Sequence, residues 1–260
     1  MATTQKTDQT GSIIILNYKT NDLVLQLIHK LSPSNNWHII VVDNSPDKSI
    51  VNSLSSTVQY ISTGKNLGYA GGNNLGIKES KGEWVLIANS DIEISINQID
   101  TLVKEADKNN SSIATPQLIS KDGSQQQSVG YFDSLLANPI NSVFARPRFI
   151  TPINDQNMQV DLVTGACILV KKHVFDIVGM FDDKTYFMYF EDIDWSLRLK
   201  KTGIPILYVP SVKVIHYGGA SSDQDARQKN TNYQQGLKNY IRKNRGIIVE
   251  KINEICGFFK

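Results

Sequence analysis

Cysteine is scarce in this chain of 260 residues. Cys167 and Cys256 lie far apart and show no C-x-x-C spacing, which argues against a disulfide framework and against a structural zinc site. Neither sign of charge dominates: Lys plus Arg is 27 against 25 for Asp plus Glu, a formal net charge of +2. The whole molecule therefore has no electrostatic reason to bind nucleic acid. No apolar run approaches the roughly 18 residues of a membrane span, and residues 1–11 lack the apolar stretch of a secretory signal. These absences together fit a protein of the reducing cytoplasm. Hydrophobic residues make up 40% of the chain and charged ones 20%, enough for one sizeable core.

Residues 12–16, SIIIL, form a short β-branched run, and after Asn17-Tyr18-Lys19-Thr20 residues 23–31 are apolar at helical spacing. Residues 38–42, HIIVV, have the continuous apolar pattern of a strand buried on both faces and stop at the turn formers Asp43-Asn44-Ser45-Pro46. Residues 58–62 and 83–88 predict two more strands, with a short helix over 74–80 between them and Asn89-Ser90-Asp91 after the second. Strands alternating with helices predict a mainly parallel sheet with right-handed crossovers. Ligands bind such sheets beyond the carboxyl ends of the strands, where Asn17, Asp43 and Asp91 fall.

Residues 120–159 break the pattern. The polar stretch KDGSQQQ, then Pro139, Pro147 and Pro152, predict an irregular insertion beside the cleft. Residues 166–170 (ACILV) restore a buried strand, a helix follows near 173–178, and the cluster Tyr186-Phe187-Met188-Tyr189-Phe190 precedes Glu191-Asp192-Ile193-Asp194, which opens a helix through 201. Two β-like runs, 204–209 and 212–216, flank Pro210. Farther on, Tyr233, Leu237, Tyr240 and Ile241 share a helical face beside Lys238, Arg242, Lys243 and Arg245. Such a basic amphipathic helix is either a solvated face or one suited to an anionic membrane surface or a second copy of the chain.

Four features carry chemistry, each beside a plainer reading. The Gly/Asn-rich run over residues 66–76 offers close backbone approach and helix N-terminal amides to a phosphate, or is a tight turn with left-handed asparagines. It matches neither GxGxxG after the first strand nor a P-loop, which disfavours dinucleotide and Walker-type sites. Asp91 can hold a hard cation against phosphate oxygens, or cap the helix expected over 92–99. Glu191-Asp192 suits a helix N-terminus whatever the function, yet the bulky residues before it would shield a carboxylate and make it a better proton acceptor. His216 offers an imidazole to a manganese-like cation, although a lone histidine is more often structural.

In order, SIIILNYKT, IIVVDNS, NLGYAGGNNLGI, VLIANSDIEI, VTGACILVKKHVFDIVGMFDD, YFEDIDWSLRLKKTG and VIHYGGAS resemble the motifs of inverting family-2 glycosyltransferases, most closely the rhamnosyltransferase-like branch. The resemblance implies an α/β GT-A fold over residues 12–222, a Rossmann-like, mainly parallel sheet flanked by helices. A disordered segment, 1–11, would precede it and a C-terminal helical extension, 223–260, would follow. It further implies that Asn17, Asp43 and Asn66 line a base and ribose pocket and that Gly71, Gly72 and Asn74 approach the donor. Asn89 and Asp91 match the first and last positions of the DxD-type triplet, so one carboxylate remains there to bind Mg2+ or Mn2+, with His216 joining it. Thr164 and Gly165 match a segment bordering the sugar and acceptor pocket. Asp192 matches the catalytic base, with Glu191 and Asp194 as weaker candidates beside it.

The implied activity is metal-dependent transfer of a sugar from a nucleoside-diphosphate donor to a saccharide or lipid-linked saccharide hydroxyl in bacterial surface polysaccharide synthesis. Rhamnose is the first candidate and a UDP-linked hexose the second, with the reaction in the cytoplasm or at the inner face of the plasma membrane. Two other classes share the alternation of strand and helix. A sugar-phosphate nucleotidyltransferase would need an early glycine-rich loop with a basic residue, which is missing, whereas a noncatalytic nucleotide-sugar-binding protein would suit Asn89.

Overall fold

The computed structural model describes residues 10–32, 36–132, 147–219 and 226–255. Its first half alternates strand and helix as the apolar periodicity predicts. β1 (Gly11–Asn17), α1 (Asn21–Leu31), β2 (Trp37–Asp43), β3 (Gln59–Ser62), α2 (Gly68–Glu79) and β4 (Trp84–Asn89) follow one another, with a 3-10 turn at Ser49–Ser53. Then come β5 (Ile92–Glu93), α3 (Ile96–Lys108), β6 (Ile113–Ile119), β7 (Val129–Tyr131), β8 (Arg148–Ile150), β9 (Met158–Val160), β10 (Leu162–Val163) and β11 (Cys167–Lys171). The remainder is α4 (Val174–Val178), α5 (Glu191–Thr202), β12 (Ile206–His216), α6 (Ala226–Arg245) and α7 (Ile247–Ile255).

The main sheet runs β3-β2-β1-β4-β11-β6-β12-β5, with β9 also on β12. The pairs among β1 to β4 are parallel, β11 lies antiparallel between β4 and β6, and β12 is parallel to β6. The β-branched run of β1 is wholly buried because both faces are covered. Ile13 and Ile15 point into a core shared with Val24, Leu27 and Leu31 of α1 and with Ile99 and Leu102 of α3. Ile14 points the other way, into a core with Ala70 and Ile77 of α2 and Trp195 and Leu199 of α5.

Several expectations change. The helix expected over 74–80 is α2, which begins at Gly68, so the Gly/Asn run is helical rather than a turn of left-handed asparagines. The helix expected over 92–99 begins at Ile96 behind a capping box made by Ser95 and Gln98, so Asp91 is not its cap. The two runs around Pro210 are one strand, β12, whose register against β6 shifts between Val209 and Lys213. A bulge is how a strand accommodates a residue without an N–H. The insertion expected to be irregular over 120–159 contains β7 and β8, which join β10 in a separate three-stranded sheet. Pro139 lies outside the described residues, as do residues 1–9; Gly11, expected to be disordered, is in β1.

The extension folds back on the domain. Leu237 and Tyr240 of α6 are buried in a third core with Phe132, Leu162, Tyr186, Phe190 and Ile193. The apolar face expected to meet a membrane or a second copy is thus largely covered by the chain itself. Of the basic residues beside it, Lys243 bonds Asp182 (2.8 Å) and Asp194 (2.9 Å), and Arg242 bonds Glu250 (2.6 Å).

Candidate functional site

Sheet register gathers the polar strand ends. Asn17 pairs with Asp43 across β1 and β2, and Asn89 sits opposite Leu16 on the other side of β1. β12 arrives antiparallel to β5, with His216 opposite Ile92, and the Tyr217 amide donates to the Asp91 carbonyl at 2.9 Å. His216 Nε2 consequently lies 3.5 Å from Asp91 Oδ1.

A third residue sets the imidazole. Gln126 Nε2 donates to the His216 carbonyl (2.8 Å), which turns Gln126 Oε1 toward His216 Nδ1 at 2.7 Å. A carbonyl oxygen only accepts, so in the neutral ring Nδ1 carries the hydrogen and Nε2 presents its lone pair to the Asp91 carboxylate. Two acceptors face each other there, a donor set that fits a divalent cation. Among the described residues no group of three His, Cys, Asp or Glu side chains forms a metal cage. A cation held by Asp91 and His216 would therefore complete its shell with ligand or water oxygens, the usual condition of Mg2+.

The other chemical wall is the start of α5. Tyr189 and Phe190, just before it, both have left-handed backbone (φ 69° and 71°), a costly conformation for bulky residues. Glu191 is 4% exposed. Asp192 is half-buried; its Oδ2 accepts from the Gly165 amide (2.9 Å) and its Oδ1 from the Ile193 amide (2.8 Å). Tyr69 donates its hydroxyl to the Gly165 carbonyl, so this peptide is held from both ends. Burial, and then the neighbouring Asp192 charge, push the Glu191 carboxyl well above the usual range. Burial raises Asp192 as well, while the amides of Gly165 and Ile193 pull it back.

These walls enclose one cleft of about 380 Å³. Asn66, Asn89, Asp91 and His216 line it, as do Thr164, Gly165, Glu191 and Asp192. The remaining sequence candidates are not on its wall. Asn17 and Asp43 are buried and bonded to each other at 2.9 Å, and Asp43 also accepts from the Ser45 amide and the Tyr60 hydroxyl. A Cβ on Gly72 would collide with Leu16, and one on Gly71 would press on Leu67, so helix packing alone already demands glycine at both positions. Asn74 is turned to the Phe181 backbone. Asp194, the weaker catalytic candidate, is 1% exposed and bonded to Arg198, Lys243, Tyr186 and Asn244. It is a structural ion pair away from the cleft.

Sequence reasoning missed Asn44, Tyr69, Gln126 and Lys229 on the lining, whereas Glu191 was already a candidate. Asn44 Oδ1, Tyr189 Oη and Glu191 Oε2 are buried polar atoms on this wall without a protein partner. Such orphans ask for a ligand or water. Tyr69 and Asn44 sit inside motifs already singled out, so the signal was at hand; Gln126 and Lys229 carried none, because only the fold brings them to the cleft.

Residues 12–178 match the family model described as Glycosyl transferase family 2. The chain belongs to this family. It is 31% identical over 211 residues to the low-salt glycan biosynthesis hexosyltransferase Agl10 of Haloferax volcanii, a match covering 79% of this chain and 66% of that protein. It is 31% identical over 189 residues to the N-acetylglucosaminyl-diphospho-decaprenol L-rhamnosyltransferase of Mycobacterium tuberculosis, covering 65% of this chain and 61% of that one. The family-2 chain thus spans less than two thirds of the length of these relatives. The crystal structure of GalNAc-T7 with UDP, GalNAc and Mn2+ superposes with a TM-score of 0.68 at 16% identity, over 89% of this chain and 47% of that one. The common fold is GT-A, as expected. The family match ends before α5 and β12, so Glu191, Asp192 and His216 of this family-2 chain all lie beyond it.

Proposed function

We propose that the chain transfers a sugar from a nucleoside-diphosphate donor to a saccharide or lipid-linked saccharide hydroxyl, with inversion at the anomeric carbon. Rhamnose is the first candidate for that sugar and a UDP-linked hexose the second. The observation that carries the reading is that Asp192 and the pair Asp91 and His216 share the wall of one cleft. The names of the two sequence relatives, a hexosyltransferase and an L-rhamnosyltransferase, support it.

In this reading Asp192 takes the proton of the acceptor hydroxyl while its oxygen attacks the anomeric carbon and the bond to the diphosphate breaks. No covalent enzyme intermediate is needed. Its burial makes Asp192 a stronger base than an exposed carboxylate, and the Gly165 amide keeps its ionised form accessible. Burial and the Asp192 charge favour the neutral form of Glu191, which would avoid a second negative charge and leave a hydrogen-bond donor for a ligand oxygen. Asp91 and His216 would hold Mg2+ or Mn2+, which when bound supplies positive charge to offset the leaving diphosphate. Asn44, Asn66 and Asn89 offer the donor neutral amide contacts. A lipid-linked acceptor would bring the protein to the inner face of a membrane; no helix among the described residues is long and apolar enough to cross one.

The test is to incubate the full chain with Mn2+, a panel of dTDP- and UDP-sugars, and polyprenyl-diphosphate-linked saccharides. Release of nucleoside diphosphate that requires acceptor, with a product of inverted anomeric configuration by NMR, is expected. Binding of a nucleotide-sugar without any turnover would make the chain a binder only, and incorporation of a nucleotide into a sugar phosphate would make it a nucleotidyltransferase.

A further inference from the structure

The strained turn that presents Glu191 and Asp192 does not stand by itself. One helix outside the family match covers it. Tyr233 of α6 packs its ring on Tyr189 (centroids 5.8 Å) and Phe190 (5.2 Å), and Tyr240 packs on Phe190 at 5.7 Å. Asn239 Nδ2 donates to the Thr185 carbonyl (2.7 Å), and Lys243 ties Asp182 to Asp194, one residue on either side of the segment that contains the turn and the carboxyl pair. Between these contacts the helix backbone itself touches the turn. A Cβ on Gly236 would lie 2.6 Å from the Tyr189 carbonyl oxygen and 3.1 Å from the Phe190 ring.

Glycine has no local use at this place. It sits mid-helix in α6, where alanine would favour the helix more, and its helical backbone asks for no special φ. The position must leave room for the Tyr189 carbonyl and the Phe190 ring. Two consecutive bulky residues in left-handed backbone persist only when their surroundings over-determine them, and α6 supplies one side of those surroundings, opposite the Tyr69 amide of α2 on the Phe187 carbonyl. The same helix supplies Lys229 to the cleft wall.

We infer that α6 is a brace for the catalytic turn: by close contact at Gly236 it holds Tyr189 and Phe190 in the conformation that aims Asp192 into the cleft. Gly236 is a positioning residue, acting on Asp192 through the turn. The inference rests on the reading of Asp192 as the base, and a measurement independent of activity separates the two. The C-terminal extension is in this view part of the active centre rather than an appendage to it.

The experiment compares the full-length chain with Gly236→Ala and with Asn230→Ala, an exposed residue on the same helix. Hydrogen–deuterium exchange of residues 186–193 is expected to rise at least fivefold in Gly236→Ala and to stay at the wild-type level in Asn230→Ala. The kcat for nucleoside diphosphate release is expected to fall tenfold or more in Gly236→Ala, with the donor KM within about twofold. A glycine without a part in the contact predicts an equal or higher Tm with unchanged kcat, because alanine is the better helix former, and a purely structural close contact predicts a lower Tm with unchanged kcat. Unchanged exchange in Gly236→Ala overturns the brace, and raised exchange with unchanged kcat overturns its role in positioning Asp192. A wild-type chain that consumes no donor would sink the functional reading, and the exchange arm would still decide the brace.

Discussion

Asn74 grips the backbone of Phe181 from both sides, its Nδ2 donating to the Phe181 carbonyl (2.8 Å) and its Oδ1 accepting from the Phe181 amide (3.1 Å). An asparagine in the middle of a helix thereby mimics a strand partner for the segment that leads to the turn before Glu191 and Asp192. Asn74→Ala leaves two buried backbone groups unpaired, at about 1–3 kcal/mol each. Urea unfolding should show a loss of about 2–6 kcal/mol for the two groups together, with a donor Kd close to wild type in the folded fraction. A donor Kd weakened more than stability would return Asn74 to the ligand.

Asp192→Asn keeps an oxygen for the Gly165 amide and removes the proposed base. A fall in kcat on the order of 10² to 10⁴ is expected, with donor affinity by calorimetry within about twofold. Turnover within a factor of three of wild type would take Asp192 out of the chemistry.

The carboxyl pair makes stability depend on pH. Both native pKa values lie above their unfolded ones, so the folded chain holds more protons than the unfolded chain in the interval between them. The pair's contribution is complete below the unfolded values, roughly pH 4, and is lost as pH rises through the raised native values. Urea midpoints taken from pH 5 to pH 8 should fall with rising pH in the wild type and fall less in Glu191→Gln. The acid limb of kcat should lie above the ordinary carboxylate range for the same reason.

His216→Gln and Asp91→Ala should each abolish the difference between donor affinities measured with Mn2+ and with EDTA. Gln126→Leu keeps both ligands and frees the imidazole to turn. It should weaken Mn2+-dependent donor binding by roughly 10- to 100-fold, the usual effect of removing the partner that orients a ligating histidine. Identical affinities with and without metal in the wild type would remove the cation from the site.

Gly68 has φ +72°, and a Cβ there would run into the Phe187 carbonyl, while the next amide, of Tyr69, donates to that same carbonyl at 2.9 Å. Gly68→Ala should lower the thermal midpoint by several degrees and expose the 186–193 segment to exchange. An unaltered melt would show that the turn can retreat from α2 without cost.

Much of this was readable along the chain because it is local. The apolar runs at 12–16 and 38–42 could only be strands covered on both faces, and polar residues had to gather where those strands end. Glu191 and Asp192 stood out by the aromatic run before them and the helix after, and the resemblance to the family marked Asp192 as the base. Other candidates are held by partners remote in the chain. Gly71, Gly72 and Asn74 look like a ligand loop in sequence, yet they pack against Leu16, Leu67 and Phe181. Asp43 looks like a free carboxylate at a strand end, but its oxygens are taken by Asn17, Ser45 and Tyr60.

By itself the amino-acid order determined the alternation of strand and helix from β1 to β4, and that the carboxyl ends of those strands would form a polar edge, because backbone periodicity and turn chemistry act over a few residues. Which polar groups face the cleft was decided only by the tertiary structure. The antiparallel return of β12 beside β5 put His216 on Asp91, and the fold-back of α6 put Gly236 on Tyr189. Both contacts join groups distant in the chain, and whether a side chain meets a ligand or a neighbour depends on which surfaces the packed sheet and helices leave open.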